Sequence, residues 1–159
     1  MSELTHINES GQPGMVDVSG KKVSRRTATA RSRVLLPEAV LALLAHGELH
    51  TKKGAVFQTA ILAGIMAAKK TGELIPLCHP LGLDNCTLDI RINEIREVVI
   101  DCTATIEAKT GVEMEALVGA SIAALTIYDM CKAVSHDIVI RETQLVQKTG
   151  GKADFTLED

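Results

Sequence analysis

Residues 86–107 read CTLDIRINEIREVVIDCTATIE, and the alternation in that stretch decides the fold. Cys86, Leu88, Ile90 and Ile92 share one parity, with Thr87, Asp89, Arg91 and Asn93 on the other. Beyond NEIRE at 93–97 the pattern resumes, as Ile100, Cys102, Ala104 and Ile106 alternate with Asp101, Thr103, Thr105 and Glu107. Successive side chains of a strand point to opposite faces, so each run buries one face and hydrates the other, and the short connection makes the pair an antiparallel hairpin. A sheet with one dry face needs apolar cover.

The flanking sequence supplies it. Downstream, Thr110 and Glu113 have capping-box spacing and are expected to open a long helix, EMEALVGASIAALTIYDMCKA, over 113–133. A strand follows over 137–147, and 149–159 is expected to be a flexible tail. Upstream, residues 24–36 alternate, with Ala28, Ala30 and Val34 opposite Thr27, Thr29, Arg31 and Arg33. Pro37 stands where a helix tolerates proline, 39–45 is a strong helix former ended by Gly47, and a second helix is expected from Gly54 to Gly72. Pro76 and Pro80 keep 74–83, LIPLCHPLGL, irregular. The order β-α-α-β-β-α-β predicts an α+β chain of ferredoxin-like, split βαβ layout, with helices on one face of an antiparallel sheet and one extra short helix.

At 159 residues the chain is expected to be a single domain, with a flexible polar lead-in over 1–22. Hydrophobic residues at 46% and charged residues at 23% exclude a disordered chain. Trp is absent and Phe57, Phe155 and Tyr128 are the only aromatics, so the core is aliphatic and single-stranded nucleic acid finds little to stack on. A net charge of -3 argues against a general polyanion-binding surface. The opening residues lack the basic and apolar regions of a secretory signal, and no apolar run is read as membrane-spanning, so a cytoplasmic location away from membranes is expected. Cys78, Cys86, Cys102 and Cys131 form no CxxC pair and read as reduced, mostly buried thiols. Asp129 is the only charge between Ala116 and Cys131, and the second helix is apolar on nearly every side. One sheet face cannot cover both helices, which predicts a homo-oligomer.

Several groups are placed for chemistry. Asp129 and Lys132 share a helix face and read either as a surface ion pair or as proton-trading partners with shifted pKa values. Cys78 and His79 sit inside PLCHP, where the prolines restrain the backbone; the histidine is either a packed, hydrogen-bonded residue or a ligand contact, and a Cys-His nucleophile pair is disfavoured because neighbours in extended chain diverge. Lys52, Lys53 and Gly54 precede a helix, either as a phosphate cradle using free N–H groups or as a solvated pair. Lys21, Lys22, Arg25 and Arg26 form a second basic group, serving an anion or protecting a strand edge. Glu113 has a structural task in the capping box, whereas Met114 and Glu115 have none so specific. His46 and His50 have i,i+4 spacing, but Gly47 intervenes and no third ligand is near, so no metal site is expected.

Taken together, MVDVSGK at 15–21, KKGAVFQTA at 52–60, LIPLCHPL at 74–81, KTGVEMEAL at 109–117 and ALTIYDMCKA at 124–133 closely resemble the MoaC family, the cyclic pyranopterin monophosphate synthases of molybdenum cofactor biosynthesis. The likeness spans nearly the whole chain in unbroken order; Ser24, where the family often has Thr, and the tail are its looser parts. It implies a ferredoxin-like fold and a homohexamer, a trimer of dimers with sites at the dimer interface. It also implies a lyase that converts 3',8-cyclo-7,8-dihydro-GTP to cyclic pyranopterin monophosphate and releases diphosphate. No resident cofactor is implied, although a divalent ion can accompany a triphosphate. By the same resemblance Asp129, Lys132 and Lys53 are catalytic, Leu77, Cys78 and His79 form one substrate-binding segment, Glu113, Met114 and Glu115 another, and Arg26 contacts the triphosphate.

Helix geometry adds a constraint of its own. Glu115 and Lys132 are 17 positions apart on one helix, or about 25 Å, so they reach one small substrate only if two chains build the site. On the residues alone a non-catalytic ligand-binding module stays open, as does a purely structural subunit, which leaves the basic groups and His79 without a task.

Overall fold

The computed structural model describes residues 6–158. Its strands are β1 (Ser24–Leu35), β2 (Leu44–Ala45), β3 (Glu48–Thr51), β4 (Gly54–Ala55), β5 (Asn85–Ile92), β6 (Glu97–Ala108), β7 (Val139–Thr149) and β8 (Phe155–Thr156). Its helices are α1 (Glu38–Leu41), α2 (Val56–Lys69), α3 (Thr71–Leu74) and α4 (Glu113–Cys131). The main sheet runs β5-β6-β1-β7-β8 with every pair antiparallel. The four long strands therefore stand in the order second, third, first, fourth, which is the ferredoxin-like arrangement predicted from the alternation.

The β5–β6 hairpin forms in the expected register, with Ile90 opposite Ile100 and Asp89 opposite Asp101. In its turn the Asn93 carboxamide accepts from Glu97 N at 2.8 Å, and Arg96 adopts φ 65°. The dry face carries Ala28, Ala30, Val34, Val98, Ile100 and Cys102, all buried beneath the helices. α4 turns small residues inward, Ala116, Gly119, Ala120, Ala123 and Ala124, so it lies close to the sheet and to α2. At their crossing a Cβ on Gly64 would stand 2.4 Å from Leu88 Cδ2 and 2.9 Å from the Gly119 carbonyl, and one on Gly119 would stand 2.5 Å from Cys102 Sγ. The opposite face of the sheet is polar. Thr29 and Thr103 share a hydrogen bond at 2.8 Å, and Arg31 grips Asp101 through two, at 2.7 and 3.0 Å.

Four expectations are corrected. The helix expected over 39–45 is the single turn α1, after which the chain forms the β2–β3 hairpin. His46 and Gly47, at φ 51° and 78°, make its two-residue turn, whose positive φ matches strand twist and overrides the helix-forming run before it. His46 and His50 therefore share no helix. The capping box does not form, because the N-cap position is Val112 with no side-chain cap, and Glu113 instead pairs with Lys148 at 3.1 Å. The C-terminal segment, expected to be a free tail, returns as β8 against β7. Finally, α4 is long and apolar enough by length and composition to cross a membrane, contrary to the reading that no run was. About half of it is buried within this fold, as befits a core helix. Of the lead-in, residues 1–5 lie outside the described residues.

Candidate active site

The residues singled out above gather at the two ends of α4. At its C-terminal end, Asp129 Oδ2 receives Lys53 Nζ at 2.9 Å and Oδ1 receives Lys132 Nζ at 2.8 Å. Lys53 also donates to the Asp129 carbonyl at 3.0 Å. Lys53 arrives from the turn between β3 and β4, 76 positions away in sequence, so only the fold makes this cluster. All three side chains are about half exposed. Lys132 first, then Lys53, hold the Asp129 carboxyl at a pKa of about 2, and Asp129 raises Lys132 above its ordinary value. Of the two readings of the pair, these shifts favour the surface ion pair over partners that trade protons near neutrality in apolar surroundings. The cluster is half exposed, and Asp129 and Lys132 drive each other's pKa away from 7.

Of the two readings of Lys52, Lys53 and Gly54, the phosphate cradle at the start of α2 is disfavoured. The N-cap residue Ala55 offers no side-chain acceptor, and the Glu48 carboxylate takes Phe57 N at 2.7 Å and Gln58 N at 3.1 Å. The helix N-terminus thus has an anion from its own chain.

At the other end of α4, Leu77, Cys78, His79, Glu113, Met114 and Glu115 line one cleft of about 270 Å³. The lead-in borders it through Val16, Val18 and Lys21. His79 Nε2 donates to the Val16 carbonyl at 2.8 Å, which places a proton on Nε2 and turns Nδ1 away from this contact. Glu115 is only 4% exposed, and burial raises its pKa, with Glu113 adding to the effect. Burial, then the Glu115 charge, pushes the Cys78 thiol up, which makes it a poor nucleophile.

A second cleft of about 330 Å³ adjoins the first, sharing Lys21, Thr110, Gly111 and Glu113 with it. Arg26 lines it, with Lys148 and Lys152. Arg26 Nε is buried without a hydrogen-bond partner among the described residues, and Nη2 reaches the Lys109 carbonyl at 3.4 Å. Beside it, Gly150 lets the chain leaving β7 pass against the β1 backbone. It sits at φ +85°, and a Cβ there would fall 1.9 Å from the Arg25 carbonyl.

The structure therefore joins Lys53 to Asp129 and Lys132, and Arg26 to the His79–Glu115 cleft, but within one chain it does not join the two groups. Lys148 and the lead-in contacts Val16 and Val18 were missed in the sequence. One signal for Lys148 was present, since Lys-Thr-Gly occurs at 109–111 and again at 148–150, and both copies border this cleft. The same tripeptide at 70–72 does not, so the repeat alone does not identify it.

Comparison with known proteins finds relatives over nearly the whole chain. The chain is 53% identical to the cyclic pyranopterin monophosphate synthase of Xanthomonas oryzae pv. oryzae (strain MAFF 311018), over 97% of this chain and 93% of the relative. The protein of that name from Xanthomonas axonopodis pv. citri (strain 306) is 54% identical over the same shares. A molybdenum cofactor biosynthesis bifunctional protein of Synechocystis sp. is 51% identical, covering 96% of this chain and 45% of the longer protein. The profile of the MoaC family matches residues 15–151, a span that takes in most of the lining of both clefts and the Lys53–Asp129–Lys132 cluster, and the chain belongs to that family.

Proposed function

We propose that this protein is a cyclic pyranopterin monophosphate synthase, a phosphorus–oxygen lyase that rearranges 3',8-cyclo-7,8-dihydro-GTP to cyclic pyranopterin monophosphate and releases diphosphate in the cytoplasm. The observation that carries the reading is the Lys53–Asp129–Lys132 cluster, a carboxylate held between two ammonium groups from distant parts of the chain. In the free protein that carboxylate is ionised and neutralised. An incoming triphosphate competes for the lysines, and as they turn to phosphate the Asp129 pKa rises towards its ordinary value and the carboxylate is freed to take a proton. The lysines then stabilise the charge on the departing diphosphate.

Arg26, Lys21 and Lys148 supply further positive charge beside the first cleft. The Nδ1 atom of His79 orients the substrate or carries a proton. With few aromatics, the purine-derived part is held by polar contacts and aliphatic walls such as Leu77, Leu81 and Met114. The scheme uses no resident cofactor, and a divalent ion accompanying the triphosphate belongs to the substrate.

The site is completed by a second copy of the chain, in a homohexamer arranged as a trimer of dimers. Two observations support this. The two groups of site residues stand at opposite ends of a 19-residue helix, more than 20 Å apart by its rise. The outer helix faces also leave Leu62 64%, Met66 56% and Leu125 53% exposed, more apolar surface than a lone chain keeps in water. Incubation of the purified protein with the cyclic guanosine intermediate tests the assignment. Pterin product and diphosphate are expected, and no turnover by a well-folded oligomer overturns it.

A further inference from the structure

Lys53 stands on an exposed turn, a poor place from which to hold a long side chain in register with a partner on another element. Its backbone is tied locally by Thr51 Oγ1, which accepts from Lys53 N at 3.2 Å, and by the short β3–β4 pairing of His50 with Ala55 and Thr51 with Gly54. Two-residue pairings of this kind are marginal alone. The anchor is Glu48, at the start of β3. Its Oε1 accepts from Leu49 N at 2.7 Å and from Phe57 N at 2.7 Å, and its Oε2 accepts from Gln58 N at 3.1 Å. One carboxylate thus clamps β3 to the first turn of α2, closing the loop that carries Lys53.

We infer that Glu48 is a positioning residue for the Lys53–Asp129 pair, holding the β3–β4 turn against the end of α4 rather than serving only as a helix cap. The inference rests on the catalytic role read for Lys53, but its geometric content is independent of turnover. The two tasks are separable, because Ala55, whose backbone pairs with His50, occupies the N-cap position, and an aspartate side chain there caps α2 without the hold that Glu48 has on the start of β3.

The test uses the full-length oligomer carrying Glu48→Ala, Glu48→Gln, or Glu48→Ala with Ala55→Asp. The first readout is the acetylation rate of the Lys53 amine by an amine-reactive reagent, followed by peptide mass spectrometry with Lys52 in the same turn as reference. The second is the melting temperature, and the third is kcat and KM on the cyclic intermediate. In Glu48→Ala, Lys53 is expected to acetylate several-fold faster relative to Lys52. Its kcat is expected to fall on the order of tenfold to 100-fold, with KM changed less, as for a misplaced catalytic group. Adding Ala55→Asp is expected to restore the melting temperature but neither Lys53 protection nor kcat. Should Glu48→Ala fail to fold, Glu48→Gln, which retains one acceptor oxygen, carries the same comparison and is expected to lie between wild type and the double variant in Lys53 protection. The inference is overturned if the aspartate cap restores Lys53 protection together with stability, or if loss of the Glu48 carboxylate leaves the Lys53 rate unchanged. If the wild type itself gives no product, the functional assignment fails while the acetylation comparison still decides the role of Glu48.

Discussion

The separation of Glu115 and Asp129 by 14 positions of one helix, about 21 Å, permits a quantitative complementation experiment. Neither Glu115→Gln nor Asp129→Asn subunits are expected to turn over substrate alone. In a two-fold dimer with shared sites, each site takes the Glu115 end from one chain and the Asp129 end from the other. Random pairing of equal amounts of the two variants makes half of the dimers mixed. Each mixed dimer holds one intact site and one doubly damaged site, so recovery is expected at about a quarter of wild-type activity per chain. The converse mixture, wild type with the double variant, is expected to fall to about a quarter rather than to the half that self-contained chains retain. Co-expression with distinguishable tags, native mass spectrometry to verify the mixed oligomers, and the product assay supply the measurements. No recovery in verified mixed oligomers, together with half activity in the converse mixture, refutes the two-chain site.

Other outcomes follow from individual contacts. Burial raises the Glu115 pKa above 4.5, so its proton favours the fold at low pH and that stability is lost as pH rises from 4.5 through the raised folded value. Glu115→Gln is therefore expected to melt higher than wild type at pH 8, with the difference shrinking towards pH 4 in a thermal-melt series. Asp129 has the opposite sign. Its stabilising pairing is complete above its ordinary 3.8 and is lost only as pH falls through about 2, so Asp129→Asn should lose activity on the order of 100- to 10,000-fold at neutral pH without an acid-stability signature above pH 4. In that variant Lys132 should also return towards its ordinary pKa, read from the pH dependence of its acetylation. Gly119→Ala sets a Cβ 2.5 Å from the buried Cys102 sulfur, so overpacking of about 1–3 kcal/mol exceeds the roughly 1 kcal/mol gained in helix propensity. Urea denaturation should show a net loss of stability, and an unchanged midpoint would mean that α4 can shift away from β6 freely.

Much of the fold was legible because its alternation is strict. Cys86 through Ile92 and Ile100 through Ile106 declare their buried faces residue by residue, and their pairing follows from a short turn. The misreadings occur where local propensity and tertiary context compete. The run 39–45 has helix-forming composition, yet His46 and Gly47 in left-handed conformations reverse the chain and give its end to a hairpin. Thr110 and Glu113 have the spacing of a capping box, but Lys148, from a strand 35 positions later, draws the Glu113 carboxylate away. The Lys-Lys-Gly step left a phosphate cradle open beside a solvated pair, a choice that neighbours along the chain could not make because Glu48 occupies those N–H groups.

The amino-acid sequence by itself determined the ferredoxin-like sheet, the small-residue helix that lies on it, and the family to which the chain belongs. These rest on periodicity and motif, which are properties of neighbours along the chain. Only the tertiary structure decided that Lys53 closes on Asp129, that His79 places a proton on Nε2 against the Val16 carbonyl, and that Arg26 Nε is buried beside the second cleft with no hydrogen-bond partner among the described residues. Each of these depends on groups tens of residues apart being brought together by packing, which no local pattern carries.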